Sequence, residues 1–358
     1  MARRAFLGLV VAAWFAVGLS AAYAYVHGYT VRRGFPVARV PVGTPRGTVE
    51  TVSFRSQAIG ATERYMVYLP PHYAAQAARG RRFPVLYLLH GSPGADGGFV
   101  TIGAANVRMD TLIARHRVRP MILVMPAGEQ GLGGDTEWAN TPHGRWMDFV
   151  LDVVHDVDHR YATLARRRDR GIAGISEGAY GAVNIGLHHI GLFSVIQSWS
   201  GYYKQTPTGP FKGATLAALQ ANSPADYVAE LAPRIQRLGL RVWLLQGQID
   251  WHSPHALVAF AGALHTAGAT VRYGFYPGGH DWALWRAQTP RMLIAASHWF
   301  SQRPRGPATF GGSGHAPGSE AVRRRLFRQS CLAMKVGGPV PIPGGCRAVR
   351  TAHGLPNT

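Results

Sequence analysis

This chain contains a serine, an aspartate and a histidine, in that order, whose side chains could together cleave an ester bond. Ser176 lies in the pattern G-x-S-x-G, Asp250 lies just beyond an apolar run, and His280 lies in a glycine-rich turn. In such a set the serine hydroxyl attacks the carbonyl carbon, the histidine accepts its proton, and the aspartate orients the histidine. The spacing therefore predicts Ser176 as nucleophile, His280 as general base and acid, and Asp250 as the orienting residue.

Each of these residues comes soon after a run with the composition of a β-strand. Because parallel strands end at one edge of a sheet, we expect Ser176, Asp250 and His280 to meet at that edge. The run after Ser176 is typical of a helix, and the free N–H groups at its N-terminus would face the reacting oxygen. The three strand-like runs are residues 170–173, 240–245 and 270–276.

The loop after the apolar run at residues 83–89 is the predicted source of an oxyanion hole, the set of N–H groups that binds the charged oxygen of the intermediate. Pro93 has no N–H group. Gly91 and Ser92 are therefore the alternative donors from this loop, beside the N–H group of Glu177. A Glu177 carboxylate that pointed inward would oppose this charge, so we expect it to point outward or to pair with an arginine.

Three aromatic residues are candidates for the wall of the substrate pocket. Trp138 lies in the loop after a predicted strand at residues 121–125. Trp199 and Tyr202 lie at and just beyond the end of another predicted strand, at residues 195–200. All three would face the edge of the sheet at which the catalytic residues are expected.

His155 and His159, one helical turn apart and close to three aspartates, superficially suggest a metal site. Their positions are more typical of the solvated face of a helix at residues 146–161, because the apolar stripe of that helix lies on the other side. We predict no metal ion and no organic cofactor.

Strand-like and helical runs alternate over residues 48–302. This alternation predicts an α/β fold, with a mostly parallel central sheet and helices on both faces. The first two strands are expected to pair antiparallel at one edge. Residues 204–240 are weakly patterned and are a candidate cap over the site.

The segment from Thr48 to Phe300 resembles the Putative esterase family of α/β-hydrolases, which includes feruloyl esterases, S-formylglutathione hydrolases and mycolyltransferases. The resemblance implies the α/β-hydrolase fold and serine-ester chemistry, and it leaves the substrate open. It is carried by residues 64–71, 85–91, 174–178, 198–203 and 278–282.

The implied function is hydrolysis of carboxylic esters through an acyl-enzyme. The resemblance to mycolyltransferases implies an alternative, transfer of an acyl chain onto an envelope sugar or lipid. A further alternative is a non-catalytic envelope-binding protein that kept the fold.

Residues 1–26 are predicted to be a signal peptide or a membrane anchor, followed by a linker at residues 27–47. Arg3 and Arg4 precede an uncharged stretch at residues 5–26, and Ala22 and Ala24 fit an A-x-A cleavage site. The stretch also reaches the length of a membrane span. Either alternative predicts a secreted or envelope-associated catalytic domain.

The C-terminal tail, residues 303–358, is rich in glycine, proline and arginine. It has nine arginines and lysines and one acidic residue, so it carries +8 of the formal net charge of +20. Cys331 and Cys346 are the only cysteines, and in an exported protein this pair favours a disulfide.

The high positive charge permits attraction to an anionic cell envelope or membrane surface. Nucleic acid is not a predicted partner, because the basic residues are scattered or lie in the tail and no nucleic-acid motif is present. The predicted partner of the site is a small-molecule or lipid ester, and the sequence leaves the oligomeric state open.

Overall fold

The described residues fold around a nine-stranded β-sheet. The computed structural model describes residues 2–32, 34–128, 134–302 and 310–312. Within these residues the strands are β1 Thr48–Arg55, β2 Thr62–Leu69, β3 Val85–Leu89, β4 Ile122–Pro126, β5 Asn140–Thr141, β6 Gly144–Arg145, β7 Arg170–Ile175, β8 Val195–Trp199, β9 Arg241–Gly247, β10 Thr270–Tyr276 and β11 Phe310–Gly312. Of these, β5 and β6 form a separate hairpin.

The order across the large sheet is β1-β2-β4-β3-β7-β8-β9-β10-β11. β2 pairs antiparallel with β1 and with β4, and every other pair is parallel. Every residue of β3, β4 and β7 is buried, which agrees with their apolar composition, because helices cover both faces of a parallel sheet. The predicted α/β sheet with an antiparallel pair at one edge is confirmed.

Helices pack on both faces of the sheet. α5, α6 and α10 share one apolar core with the sheet, and α4 and α11 share the other. The α-helices of the described residues are α1 Ala2–Arg32, α2 Tyr73–Ala78, α3 Gly98–Thr101, α4 Ala105–Ala114, α5 Trp146–Arg160, α6 Glu177–His188, α7 Leu216–Ala221, α8 Pro224–Tyr227, α9 Ala232–Leu238, α10 Pro254–Thr266 and α11 Trp282–Ser301.

The apolar stripe that the sequence predicts for α5 is the face that packs against the sheet. Phe149, Val150 and Val153 are fully buried, whereas His155 and His159 are exposed. The prediction that these two histidines lie on a solvated helix face is therefore confirmed.

The candidate cap at residues 204–240 folds as short helical turns, α7 to α9 with two 3-10 turns between β8 and α9. Its first half packs against α6. The hydroxyl of Tyr180 donates to the carbonyl oxygen of Asn222 at 2.8 Å, and Phe211 joins a small buried cluster with Tyr180.

At both ends of the chain, an element crosses a predicted boundary. β11 lies within the predicted tail and pairs with β10 of the sheet. The N-terminal helix α1 continues to Arg32, beyond the boundary predicted at residue 26. Within the part of the chain that the structure describes, no helix has both the length and the apolar content needed to cross a membrane. Cys331 and Cys346 and almost all of the basic tail lie outside the described residues.

Candidate active site

Ser176 lies on a sharp turn between β7 and α6. Its backbone φ is 54°, a left-handed conformation that side-chain-bearing residues rarely adopt. The turn is also very tight, because a Cβ atom on Gly174 would lie 2.0 Å from the carbonyl oxygen of Gly178. A Cβ atom on Gly178 would lie 2.2 Å from the carbonyl oxygen of Leu89. Neither glycine of G-x-S-x-G therefore has room for a side chain.

The loops after β9 and β10 bring Asp250 and His280 to Ser176. His280 Nε2 lies 2.8 Å from Ser176 Oγ, and His280 Nδ1 lies 3.1 Å from each carboxylate oxygen of Asp250. The side chain of His280 is 4% exposed and that of Asp250 is fully buried. The three residues predicted from the sequence thus form one chain of hydrogen bonds.

Asp250 is surrounded by groups that favour its charged form. Burial alone would raise the pKa of its carboxyl group, but the rings of His252 and His280 and the N–H group of His252 hold that pKa well below its usual range. The N–H group of His252 donates to Asp250 at 3.0 Å. Asp250 is therefore ionised at neutral pH and can orient His280.

His252 was not among the residues predicted to act in the site. Its Nδ1 atom lies 3.3 Å from Asp250 Oδ1. Ligand atoms of Asp250, His252 and His280 lie within 4.8 Å of one another, and among the described residues this is the one group that could hold a metal ion. Two of these side chains, Asp250 and His280, already hydrogen-bond each other, and His280 in turn contacts Ser176.

The main chain of Gly91 lies against the nucleophile. A Cβ atom on Gly91 would lie 2.8 Å from Ser176 Cβ and 3.4 Å from Ser176 Oγ. Ser92, the alternative donor, is exposed at the next position. The N–H group of Glu177, the other predicted donor, belongs to the first residue of α6, directly after Ser176.

Glu177 differs from the expectation. Its side chain is buried rather than directed outward, and it is 4% exposed. Its partner is Thr136 rather than an arginine, because Oε1 accepts hydrogen bonds from the N–H and hydroxyl groups of Thr136. Burial, followed by the charges of Asp135 and Glu137, raises the pKa of Glu177 well above its usual range.

Trp138 and Trp199 were predicted to line the substrate pocket, and the structure places both in the core instead. Each side chain has no exposed surface. The indole N–H group of Trp138 donates to the carbonyl oxygen of His90 at 3.0 Å, and Trp199 packs near Trp243 on the far side of the sheet. The pocket prediction was wrong for these two residues, because long-range packing encloses them.

Tyr202 is partly exposed near the site. Its ring stacks on that of Tyr180, with centroids 5.1 Å apart. Its hydroxyl group donates to Glu137 Oε2, which also accepts a hydrogen bond from Gln205 Nε2 at 2.9 Å. Tyr202 is therefore tied to the loop of residues 134–139, which carries Thr136.

Burial raises the pKa of Glu137 to about 7, and its hydrogen bonds from Tyr202 and Gln205 offset only part of this effect. A raised pKa in the folded state gives stability that is fully present below the usual carboxyl pKa and is lost as the pH rises to about 7. We expect the free energy of unfolding of the wild type, relative to Glu137→Gln, to fall by up to about 3 kcal/mol over that interval.

Urea unfolding of both proteins at several pH values measures this difference. Glu230→Gln, at an exposed position, is the control. A difference between wild type and Glu137→Gln that does not change with pH would contradict the prediction.

Trp251 was also missed by the sequence reasoning. Its ring stacks on that of His280 with centroids 3.9 Å apart, yet 75% of its surface is exposed. Ile249, two residues earlier, is 67% exposed. We call these two side chains the apolar rim. The only sequence signal was the presence of large apolar residues on both sides of Asp250 in a loop.

A family model described as Putative esterase matches residues 56–296, which is about two thirds of the chain. The chain belongs to the Putative esterase family. The matched segment contains Ser176, Asp250 and His280, together with both sides of the predicted oxyanion hole.

Two curated relatives illustrate the similarity of this chain to known esterases. An endo-1,4-beta-xylanase/feruloyl esterase of Xylanibacter ruminicola is 30% identical over 138 residues, which are 37% of this chain and 18% of that protein. An esterase of Mycobacterium tuberculosis is 31% identical over 155 residues, which are 41% of this chain and 31% of that protein. The chain thus spans less than a third of the length of these relatives.

Solved structures of esterases share the fold. A ferulic acid esterase superposes with a TM-score of 0.63 at 23% identity, covering 71% of this chain and 99% of that one. An S-formylglutathione hydrolase from Staphylococcus aureus gives a TM-score of 0.58 at 17% identity, covering 70% and 99%. At these identities the likeness establishes the α/β-hydrolase fold of the esterase family.

Proposed function

We propose that this protein is a serine esterase that cleaves carboxylic esters through an acyl-enzyme. The observation that carries the proposal is the continuous chain of hydrogen bonds from Ser176 through His280 to Asp250. Membership of the esterase family supports the same chemistry.

In the proposed reaction, Asp250 accepts the Nδ1–H group of His280, which leaves the lone pair of Nε2 facing Ser176 Oγ. His280 takes the hydroxyl proton as Ser176 attacks the carbonyl carbon, and then gives that proton to the leaving alcohol. Water repeats the sequence on the acyl-enzyme, which releases the acid and restores Ser176. The N–H groups of Glu177 and Gly91 would bind the oxyanion in both steps.

The mouth of the site favours an ester with a large apolar or aromatic group. The apolar rim places the exposed faces of Trp251 and Ile249 beside His280, where a flat ring could stack. One solved structure with this fold is a ferulic acid esterase in complex with ferulic acid. Esters of aromatic acids are therefore the proposed substrate class.

The proposed location of the protein is the cell envelope or the cell exterior. Arg3, Arg4 and the uncharged stretch that follows support export or tethering by the N-terminal segment. The net charge of +20 would favour an anionic surface.

A fluorophosphonate probe tests the nucleophile, and methyl ferulate and p-nitrophenyl acetate test the activity. We expect labelling and hydrolysis with wild type and neither with Ser176→Ala, provided that circular dichroism shows both proteins to be folded. No labelling of folded wild type would contradict the proposal and favour a non-catalytic binding protein. A sugar added as acceptor distinguishes acyl transfer, because the product would then be an acylated sugar.

A further inference from the structure

The carboxyl group of Glu177 ends inside the protein, at the loop of residues 134–139. Oε1 accepts hydrogen bonds from the N–H group of Thr136 at 3.0 Å and from its hydroxyl group at 3.1 Å. We infer that Glu177 is a positioning residue, a neutral carboxylic acid that holds this loop and thereby fixes both sides of the oxyanion hole. The inference rests on the proposed ester hydrolysis and adds a residue to its machinery.

A chain of contacts runs from Thr136 back to Gly91. Thr136 Oγ1 accepts a hydrogen bond from the N–H group of Trp138 at 3.2 Å. The indole N–H group of Trp138 donates to the carbonyl oxygen of His90 at 3.0 Å, and the ring of Trp138 lies edge-on to that of His90. Gly91 follows His90. The chain therefore starts at one predicted oxyanion donor, residue 177, and ends at the other.

The space around this chain is filled. A Cβ atom on Gly181, one turn along α6 from the nucleophile, would lie 2.5 Å from Trp138 Cβ. Glu137 and Trp138 both have positive φ, 51° and 48°, which ordinary residues adopt only when their surroundings hold them there. Contacts of the loop with α6, among them those of Glu177, hold this strained backbone in place.

The surroundings of Glu177 favour its neutral form. The charged groups that face it are the carboxyl groups of Asp135 and Glu137, and among the described residues no lysine, arginine or histidine forms an ion pair with it. Burial and these two neighbouring carboxyl groups both disfavour a charged Glu177, and they raise its pKa well above the usual range.

A neutral acid at this position leaves the oxyanion hole free of opposing charge. Once Glu177 ionises, its carboxylate would belong to the same residue as an N–H group that must stabilise negative charge. Because the folded-state pKa is raised, the favourable neutral form is present at low pH and is lost as the pH rises through that pKa. The wild type should therefore lose kcat on the alkaline side.

Two variants, Glu177→Gln and Glu177→Ala, distinguish the two parts of the role, which are the neutral charge and the hydrogen bonds to Thr136. Glutamine keeps an acceptor for Thr136 and has no proton to lose. Alanine leaves the N–H group of Thr136 without its acceptor, and it leaves the hydroxyl group only the carbonyl oxygen of Gly128, at 3.3 Å. At neutral pH, we expect Glu177→Gln to keep most of the kcat that Glu177→Ala loses, because glutamine restores the acceptor for Thr136. We expect kcat of Glu177→Ala to fall between about tenfold and 10²-fold, with KM little changed, because the oxyanion donors are displaced.

The pH profile of kcat, measured from about pH 6 to about pH 10 with one p-nitrophenyl ester, is the decisive readout. We expect an alkaline fall of about tenfold in wild type that is absent in Glu177→Gln. The same fall in both proteins, or a Glu177→Gln variant as impaired as Glu177→Ala, would overturn the inference. Labelling of each variant by the fluorophosphonate probe keeps this outcome distinct from failure of the proposed function, in which wild type itself would not react.

Discussion

Replacing His280 by alanine is expected to lower kcat for ester hydrolysis by about 10⁴-fold to 10⁶-fold, the largest effect that any side chain of this protein should show. In the proposed reaction, His280 both accepts the proton of Ser176 and donates it to the leaving alcohol, and its Nε2 atom lies 2.8 Å from Ser176 Oγ. Asp250→Asn should lower kcat by about 10⁴-fold, because an amide favours the wrong tautomer of the imidazole ring.

The double variant Ser176→Ala/His280→Ala makes this prediction sharper. If the two residues act as one unit, removing both should cost no more than removing either one. Stopped assays with p-nitrophenyl acetate on both single variants and the double variant measure this. His159→Ala, at an exposed histidine of α5, should keep full activity. Additive losses, or a His280→Ala variant with a tenth of the wild-type activity, would contradict the assignment.

Gly178→Ala is expected to lower the free energy of unfolding by about 3 kcal/mol or more. The added Cβ atom would lie 2.2 Å from the carbonyl oxygen of Leu89 and 2.3 Å from that of His90. Both contacts are with backbone, so α6 would have to move away from β3. The predicted oxyanion hole lies at this junction of α6 and β3, so activity should fall together with stability.

Gly262→Ala is the matched control. Gly262 lies inside α10, and a Cβ atom there would meet nothing within 4 Å. The added methyl group should therefore stabilise the protein by up to about 1 kcal/mol, because alanine favours a helix more than glycine does. Urea unfolding followed by circular dichroism measures both variants, and equal stability of Gly178→Ala and wild type would contradict the argument.

The strands, and the three residues that the structure joins by hydrogen bonds in the proposed triad, could be predicted from the sequence because their signals are local. The runs that became β3 and β7 are apolar and short, and Ser176, Asp250 and His280 each follow such a run. The position of the Glu177 side chain could not be predicted in this way. It depends on Thr136, which lies 41 residues earlier, in a loop whose conformation is not encoded by any local pattern.

The aromatic residues illustrate the same limit. Trp138 and Trp251 both stand in loops next to acidic residues, and composition alone does not distinguish them. One has no exposed surface, and the other is 75% exposed and stacks on His280. The difference arises because α6 presents a glycine to Trp138, which leaves space for its ring, while Trp251 lies at the open mouth of the site.

The separation of the site along the chain has a consequence for biosynthesis. The oxygen of Ser176 and the nitrogen that activates it belong to residues 104 positions apart. On the ribosome, Ser176 and Gly91 emerge well before His280. The helix α11 follows His280 directly in the chain. In the proposed reaction, the serine of a nascent chain stays inert until the last quarter of the domain has been synthesised and folded. The proposed ester cleavage therefore cannot begin before synthesis has passed His280.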